Sequence, residues 1–406
     1  MAKSISHSLL LFSFIIMYIR IIASLAIVAA ISNSYNVLTY GAVPDGKTDS
    51  SKAFLGAWTA ACGSTEAATI YVPPGTFLLG SVTFEGQCKS NAVTFQIDGV
   101  LVAPSDFNVI GRDGTWINFN SVSGVSIVGG TIDGQGASLW ACKHANKECP
   151  QGTTALAFYH SSDIVISGLK SQNSQMFHIV IYGSNNARVE SVTISAPEDS
   201  PNTDGIHVEL SSNVKILHSV IGTGDDCISI GPGSSNLWIN DITCGPGHGI
   251  SIGSLGWQVQ EGGVENVTVS GASFFGTQNG FRIKTWSRPS NGFARNITFE
   301  HGVMSNAQNP IIIDQNYCPS HPNGCPNQGS GVKISGINFQ DIHGTSATQV
   351  GIELNCSPKE SCDGITLNNV NLGYKNGAAQ LSCANAHFTY LNSSFNPSSG
   401  CLINAI

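Results

Sequence analysis

Between Gly124 and Leu372 one short pattern keeps returning: an apolar, mostly β-branched residue alternates with a polar one, and a second such alternation follows about five residues on. Copies beginning at Ile164, Val189, Val214, Leu237, Val267 and Ile297 are separated by 25, 25, 23, 30 and 30 residues. Period-two alternation with Asn, Gly and Ser at its ends, repeated at such spacing, is the signature of a solenoid. The unit is too β-rich for helical repeats, lacks the fixed Leu and Asn phase of a leucine-rich repeat, and has too few strands per repeat for a propeller blade. The pattern predicts an all-β chain wound as a right-handed parallel β-helix. Each coil lays its strand ~4.8 Å from its neighbour's, so inward Val, Ile and Leu stack in rows while outward residues build a long groove. The open end of such a coil needs a cover. A short N-terminal capping helix is expected within Asp49 to Cys62, with Ala53, Phe54, Ala57, Trp58 and Ala61 on one face and Asp49 or Ser50 as its cap.

Only 11% of the 406 residues are charged, against about 25% in an average soluble protein. Charged disordered tails and coiled coils are thereby excluded. Residues 1–30 read as a secretory signal peptide, with Lys3 in front, an apolar stretch from Leu9 to Ile31, and Val28-Ala29-Ala30 as the small residues for cleavage. Arg20 splits that stretch into halves of ~11 residues, each too short to span a bilayer. Residues 31–406 then form a single β-helix domain, with no linker composition anywhere, no membrane association after the leader is removed, and a monomeric state expected. The net charge of −8 becomes −10 once Lys3 and Arg20 are lost. That excludes wrapping of nucleic acid, which needs a positive field.

Twelve cysteines, an even number, suit an oxidising compartment and place the protein outside the cell. They fall in successive pairs, Cys62 with Cys88, Cys142 with Cys149, Cys227 with Cys244, Cys318 with Cys325, Cys356 with Cys362, and Cys383 with Cys401. No spacing typical of a zinc site occurs, so no metal site is expected. Sequons at Asn266, Asn296 and Asn392 are glycosylation candidates.

Three acidic residues stand in Gly- and Asn-rich stretches where a core strand would not place a charge: Asp204 in Asn202-Thr203-Asp204-Gly205, and Asp225 and Asp226 in Gly224-Asp225-Asp226-Cys227. Twenty-two residues separate Asp204 from Asp226, and 22 separate Asp226 from His248. With coils of that length, residues one repeat apart lie above one another, so three carboxylates and an imidazole converge on the groove. Crowded carboxylates cannot all ionise freely; one holds its proton to higher pH while the others stay charged. An acid beside a base is what glycosidic-bond hydrolysis requires. Asx turns at coil corners are the structural alternative for any single Asp. A calcium site is the competing functional one, though His248 is a poor ligand for so hard a cation. In Arg282-Ile283-Lys284, positions i and i+2 share a strand face, so both cations should face the groove while Ile283 enters the core. That pair suits a carboxylate-bearing sugar.

Asn202-Thr203-Asp204, Gly224-Asp225-Asp226, Gly247-His248-Gly249 and Arg282-Ile283-Lys284 together resemble, in order and spacing, the four motifs of the polygalacturonases of glycoside hydrolase family 28. The resemblance runs from Asn36-Val37-Leu38-Thr39-Tyr40-Gly41-Ala42 to the C-terminal Cys pair and is closest to the plant branch that includes pollen exopolygalacturonases. It implies hydrolysis of α-1,4 bonds between galacturonic acids in de-esterified pectin, with inversion and no cofactor, in the cell wall. It implies Asp225 as general acid, Asp204 and Asp226 as the groups that activate water, and His248 as support for the acid. It also implies that Arg282 and Lys284 hold the galacturonate carboxylate, with Tyr317 and Asn202 as further substrate contacts. Exo action is favoured over endo by closeness to the exo branch alone. A coil separation of ~4.8 Å would by itself suit a retaining pair, but outward side chains can splay. The rivals are a pectate lyase, which shares fold and substrate but eliminates, and a silent wall-binding protein on the same scaffold.

Overall fold

The computed structural model describes residues 33–319, 325–397 and 401–405. The expected leader, residues 1–30, lies outside them. Because successive strand side chains point to opposite sides, an apolar residue at every second position fills the interior. The same inward position then repeats from coil to coil. Ile179, Ile206, Ile228, Ile250, Phe281, Ile311 and Ile352 are register partners in one row, and Ile181, Val208, Ile230, Ile252, Ile283, Ile313 and Leu354 form the row beside it. All fourteen are buried. These rows belong to a 12-stranded sheet running from Val82–Glu85 to Asn396–Pro397. A second sheet of 21 strands closes the other sides of the coil. Strands pair in parallel with those of the coil before and after, except at the short antiparallel pairing of Cys362–Tyr374 with Gly377–Ala378. The fold is the expected parallel β-helix, with one continuous apolar core.

The helix Ser51–Cys62 covers the N-terminal end. Its face of Ala53, Phe54, Ala57, Trp58 and Ala61 is buried as the spacing predicts. Trp58 sits 5.3, 5.9 and 5.8 Å from the rings of Phe84, Phe95 and Phe119, an aromatic plug over the first coils. Of the two candidate caps, Ser50 holds the N-cap position but makes no side-chain cap bond. Asp49 does the capping, its Oδ1 accepting from the Ser51 N–H at 2.9 Å.

All six disulfides join neighbours along the chain: Cys62–Cys88, Cys142–Cys149, Cys227–Cys244, Cys318–Cys325, Cys356–Cys362 and Cys383–Cys401. Cys227–Cys244 is buried directly behind the acidic cluster. Closing its 17-residue separation is worth ~3 kcal/mol in the chain-entropy picture. The sequon residues Asn266, Asn296 and Asn392 are exposed. Among the described residues no helix is long and apolar enough to cross a membrane.

Candidate active site

Four consecutive strands of the 12-stranded sheet, Ile206–Glu209, Ile228–Ile230, Ile250–Leu255 and Asn279–Trp286, carry the cluster. Ile206, Ile228 and Ile250 are in register, so the residues two positions before each, Asp204, Asp226 and His248, stack in line as the 22-residue spacing predicts. Backbone bonds fix the turns to one another: Gly205 N–H donates to the Asp226 carbonyl at 2.9 Å and His248 N–H to the Asp225 carbonyl at 2.8 Å. Gly224 is required by close approach. A Cβ there would lie 2.1 Å from the Ser200 carbonyl oxygen.

The two adjacent aspartates meet different environments. Asp226 is 1% exposed. Its Oδ1 accepts from Arg282 Nη2 at 2.7 Å and Ser251 Oγ at 2.9 Å, and its Oδ2 from Lys284 Nζ at 2.7 Å. Burial works to raise its pKa, but Lys284 and then Arg282 outweigh burial and hold the carboxyl below the usual carboxylate range. Asp225 turns outward, its Oδ1 lying 3.0 Å from His248 Nδ1 and accepting from the Asp226 N–H at 2.8 Å. Asp204, one coil away and also buried, is pushed well above the usual range, first by burial and then by the charges of Asp225 and Asp226. Lys284 and the Ser229 hydroxyl, 2.6 Å from its Oδ2, pull the other way without prevailing. The pKa values of the two buried carboxyls are pushed in opposite directions, as the crowding argument predicts.

Arg282 and Lys284 alternate with a buried Ile283 as the i, i+2 spacing predicts, yet little of either cation is exposed. Ile283 enters the core, but the two cations do not stand in the open groove; they are 8% and 6% exposed and bonded to Asp226. The reason is electrostatic, since a buried carboxylate stays ionised only with paired cations and donors around it. An ammonium has three donors, and one of those on Lys284 meets Asp226. Tyr317 lies over both cations, its ring centre 5.1 Å from Lys284 Nζ and 5.9 Å from Arg282 Cζ, and contacts Trp286 at 5.5 Å. Asn202 is exposed on the turn before Asp204, with φ 58°.

Asp225, Asp226 and His248 place potential ligand atoms within 4.8 Å of one another. Both oxygens of Asp226 are already engaged by a guanidinium, a hydroxyl and an ammonium, and that donor set fits proton chemistry better than cation binding.

Sequence reasoning passed over the residues that connect these groups: His207, Glu209, Ser229 and Ser251. The signal was present in the alternation itself. Ile206-His207-Val208, Ile228-Ser229-Ile230, Ile250-Ser251-Ile252 and Phe281-Arg282-Ile283 share one register, so His207, Ser229, Ser251 and Arg282 form the outward row between two buried ones.

Residues 62–396 match the family model described as glycosyl hydrolases family 28. The chain is 59% identical over 357 residues to a polygalacturonase of Prunus persica, covering 88% of this chain and 91% of that protein. It is 42% identical over 362 residues to an exopolygalacturonase of Platanus acerifolia, covering 88% and 95%. In fold it is similar to an endo-xylogalacturonan hydrolase from Aspergillus tubingensis, with a TM-score of 0.78 at 24% identity over 90% of this chain and 99% of that one. A hyperthermoactive exopolygalacturonase from Thermotoga maritima follows with a TM-score of 0.73 at 19% identity, covering 90% and 92%. With its coil, its stacked carboxylates and a match across most of its length, the chain belongs to glycosyl hydrolases family 28, alongside the plant polygalacturonases to which it is similar.

Proposed function

We propose that this protein hydrolyses α-1,4-galacturonosyl bonds of de-esterified pectin, acting from the chain end to release galacturonic acid and inverting the anomeric centre. The observation that carries the reading is the division of labour among the stacked carboxylates: Asp226 held ionised by Lys284 and Arg282, Asp204 pushed toward its protonated form, and Asp225 facing outward against His248. In this reading Asp225 protonates the leaving oxygen, with His248 orienting its carboxyl. Asp204 and Asp226 position a water on the opposite face of the sugar, and Asp204, in its ionised form, takes the proton that the water gives up as it attacks. Lys284, Arg282 and Tyr317 receive the galacturonate next to the cleaved bond; the charge of the two cations compensates locally for a chain of net charge −8 that otherwise repels pectate. The exopolygalacturonase relative supports chain-end action. The six disulfides support a secreted, wall-located protein, with Asn266, Asn296 and Asn392 open to glycosylation and the β-helix working as a monomer.

The test is digestion of polygalacturonate with separation of the earliest products and proton NMR of the first anomer formed. Galacturonic acid alone, appearing as the β-anomer, is expected. Mixed oligomers would make the enzyme endo-acting, an α-anomer first product would make it retaining, an unsaturated ultraviolet-absorbing product would make it a lyase, and affinity without new reducing ends would make it a binding protein.

A further inference from the structure

Asp226 and Asp204 occupy equivalent places in successive coils, and each is bonded to a serine of the next coil. Ser251 Oγ donates to Asp226 Oδ1 at 2.9 Å, and Ser229 Oγ donates to Asp204 Oδ2 at 2.6 Å. A hydroxyl has one proton, so a serine that donates to its aspartate must accept from the polar hydrogen on its other side. For Ser251 that hydrogen is on Arg282 Nε, 2.9 Å away. For Ser229 it is on His207 Nδ1, 2.8 Å away. The second ring nitrogen of His207 lies 3.0 Å from Glu209 Oε2, with the two side chains 14% and 29% exposed. The two cells are built alike with one difference. Where Asp226 has a guanidinium that never gives up its proton, Asp204 has an imidazole that can.

We propose that Ser229, His207 and Glu209 form a relay that removes the proton from Asp204 and keeps it within the site. In one state Asp204 is protonated and donates to Ser229 Oγ, Ser229 donates to His207 Nδ1, and the neutral ring donates from Nε2 to ionised Glu209. In the other state the Asp204 proton has passed to Ser229 and the Ser229 proton to His207 Nδ1. One O–H bond breaks at Asp204 and one N–H bond forms at the ring, while Ser229 exchanges one proton for another. Every hydrogen bond is preserved, no proton enters or leaves, and the net charge is unchanged. The result is an ionised Asp204 facing the groove, with an imidazolium behind it that is itself paired to Glu209. Such an imidazolium adds positive charge to that of Lys284, against the burial, Asp225 and Asp226 that oppose the ionisation of Asp204. The Phe177 ring lies 5.1 Å from the His207 ring, and Tyr159 and Tyr182 line the same cleft.

The proposal rests on the reading above, in which Asp204 accepts the proton of the attacking water. His207, Ser229 and Glu209 act through Asp204 and are positioning residues. The test is the pH profile of kcat on polygalacturonate for His207→Gln, Ser229→Ala and Ser229→Thr. Without an imidazolium in contact through Ser229, Asp204 ionises only at higher pH. The acidic limb should move up by about one unit in the first two variants, which is roughly a tenfold lower rate on the acidic side. The rate should recover as pH rises, KM should change little, and the threonine, which restores the hydroxyl, should return the limb toward wild type. An unmoved limb, or an equal loss at every pH, overturns the relay. A second measurement needs no turnover: nitrogen-15 NMR of His207 in the wild-type protein, with the Asp204 carboxyl followed by carbon-13. Both ring nitrogens should be protonated when Asp204 first ionises; a bare Nδ1 at that point overturns the proposal. A wild-type protein that does not cleave polygalacturonate would sink the proposed function, and the relay would then stand or fall by NMR alone.

Discussion

Two sets of turns in this molecule are built from the same residue types and do different work. Along one corner, Asp163, Asn186, Asn213, Asn236, Asn266 and Asn296 follow one another from coil to coil, every one left-handed with φ between 53° and 58°. Asx residues occur there for a local reason, since they tolerate that backbone better than other residues with a Cβ. Their side chains bond along the column: Asn296 Nδ2 donates to Asn266 Oδ1 at 2.7 Å, and Asn266 Nδ2 to Asn236 Oδ1 at 3.0 Å. A neighbouring corner pairs Asp241 with His218 at 2.8 Å and Asp341 with Asn369 at 2.8 Å. Hydrogen bonds from Asn186 and Asn369 lower the pKa of Asp163 and Asp341 respectively. At the groove, Asp204 and Asp226 are buried among like charges, and their pKa values are driven apart. An exposed Asp surrounded by donors serves the turn it sits in. Buried aspartates whose pKa values are pushed in opposite directions mark a candidate site for chemistry.

The comparison breaks most decisively through a matched pair. Asp225→Asn is expected to lower kcat by roughly 10²–10⁴-fold while pectate binding survives, because leaving-group protonation is lost; Asp241→Asn, at the corner, should leave kcat unchanged. Reducing-end assays decide this, and an Asp225→Asn enzyme retaining over half the wild-type rate would end its assignment as the acid.

Lys284→Met tests whether the buried cation serves both partners. KM should rise by about tenfold, one charge-assisted contact's worth, and its salt dependence should flatten. Since Lys284 is the main influence lowering the Asp226 pKa, its loss raises that pKa, and the acidic limb of the kcat profile should move to higher pH. Unchanged KM, salt slope and limb would make Lys284 a bystander.

Asp204→Asn should separate stability from function. The native pKa of Asp204 is raised, so its contribution to stability is fully present below its unfolded pKa and is lost as pH rises through the native value. Asparagine stays neutral. The variant should therefore melt at a higher temperature than wild type near pH 7, with the margin shrinking toward acid pH, while activity collapses. Calorimetry showing a lower melting temperature at pH 7 would contradict the electrostatic account. The smallest effect belongs to the corner. Asn236→Ala removes the acceptor of one exposed rung and should cost about 1 kcal/mol with kcat unaltered; chemical denaturation measures it, and a change in kcat would show that the corner and the groove are coupled.

Legibility in the sequence follows the range of the forces involved. The coil, its inward rows and the face of the capping helix were readable because they depend on alternation within one strand or spacing within one helix. Equal 22-residue intervals stacked Asp204, Asp226 and His248 for the same reason: two successive coils of equal length convert sequence distance into vertical alignment. Tertiary structure alone decided that Arg282 and Lys284, 56 and 58 residues from Asp226, would close on that carboxylate rather than stand open in the groove. It likewise decided that Asp49 rather than Ser50 would cap the helix, and that Ser229 would bridge Asp204 to His207. Periodicity dictates which side of a strand a residue faces, but a pairing between charges is set by distances of a few tenths of an ångström and by local burial, and those exist only once neighbouring coils have packed.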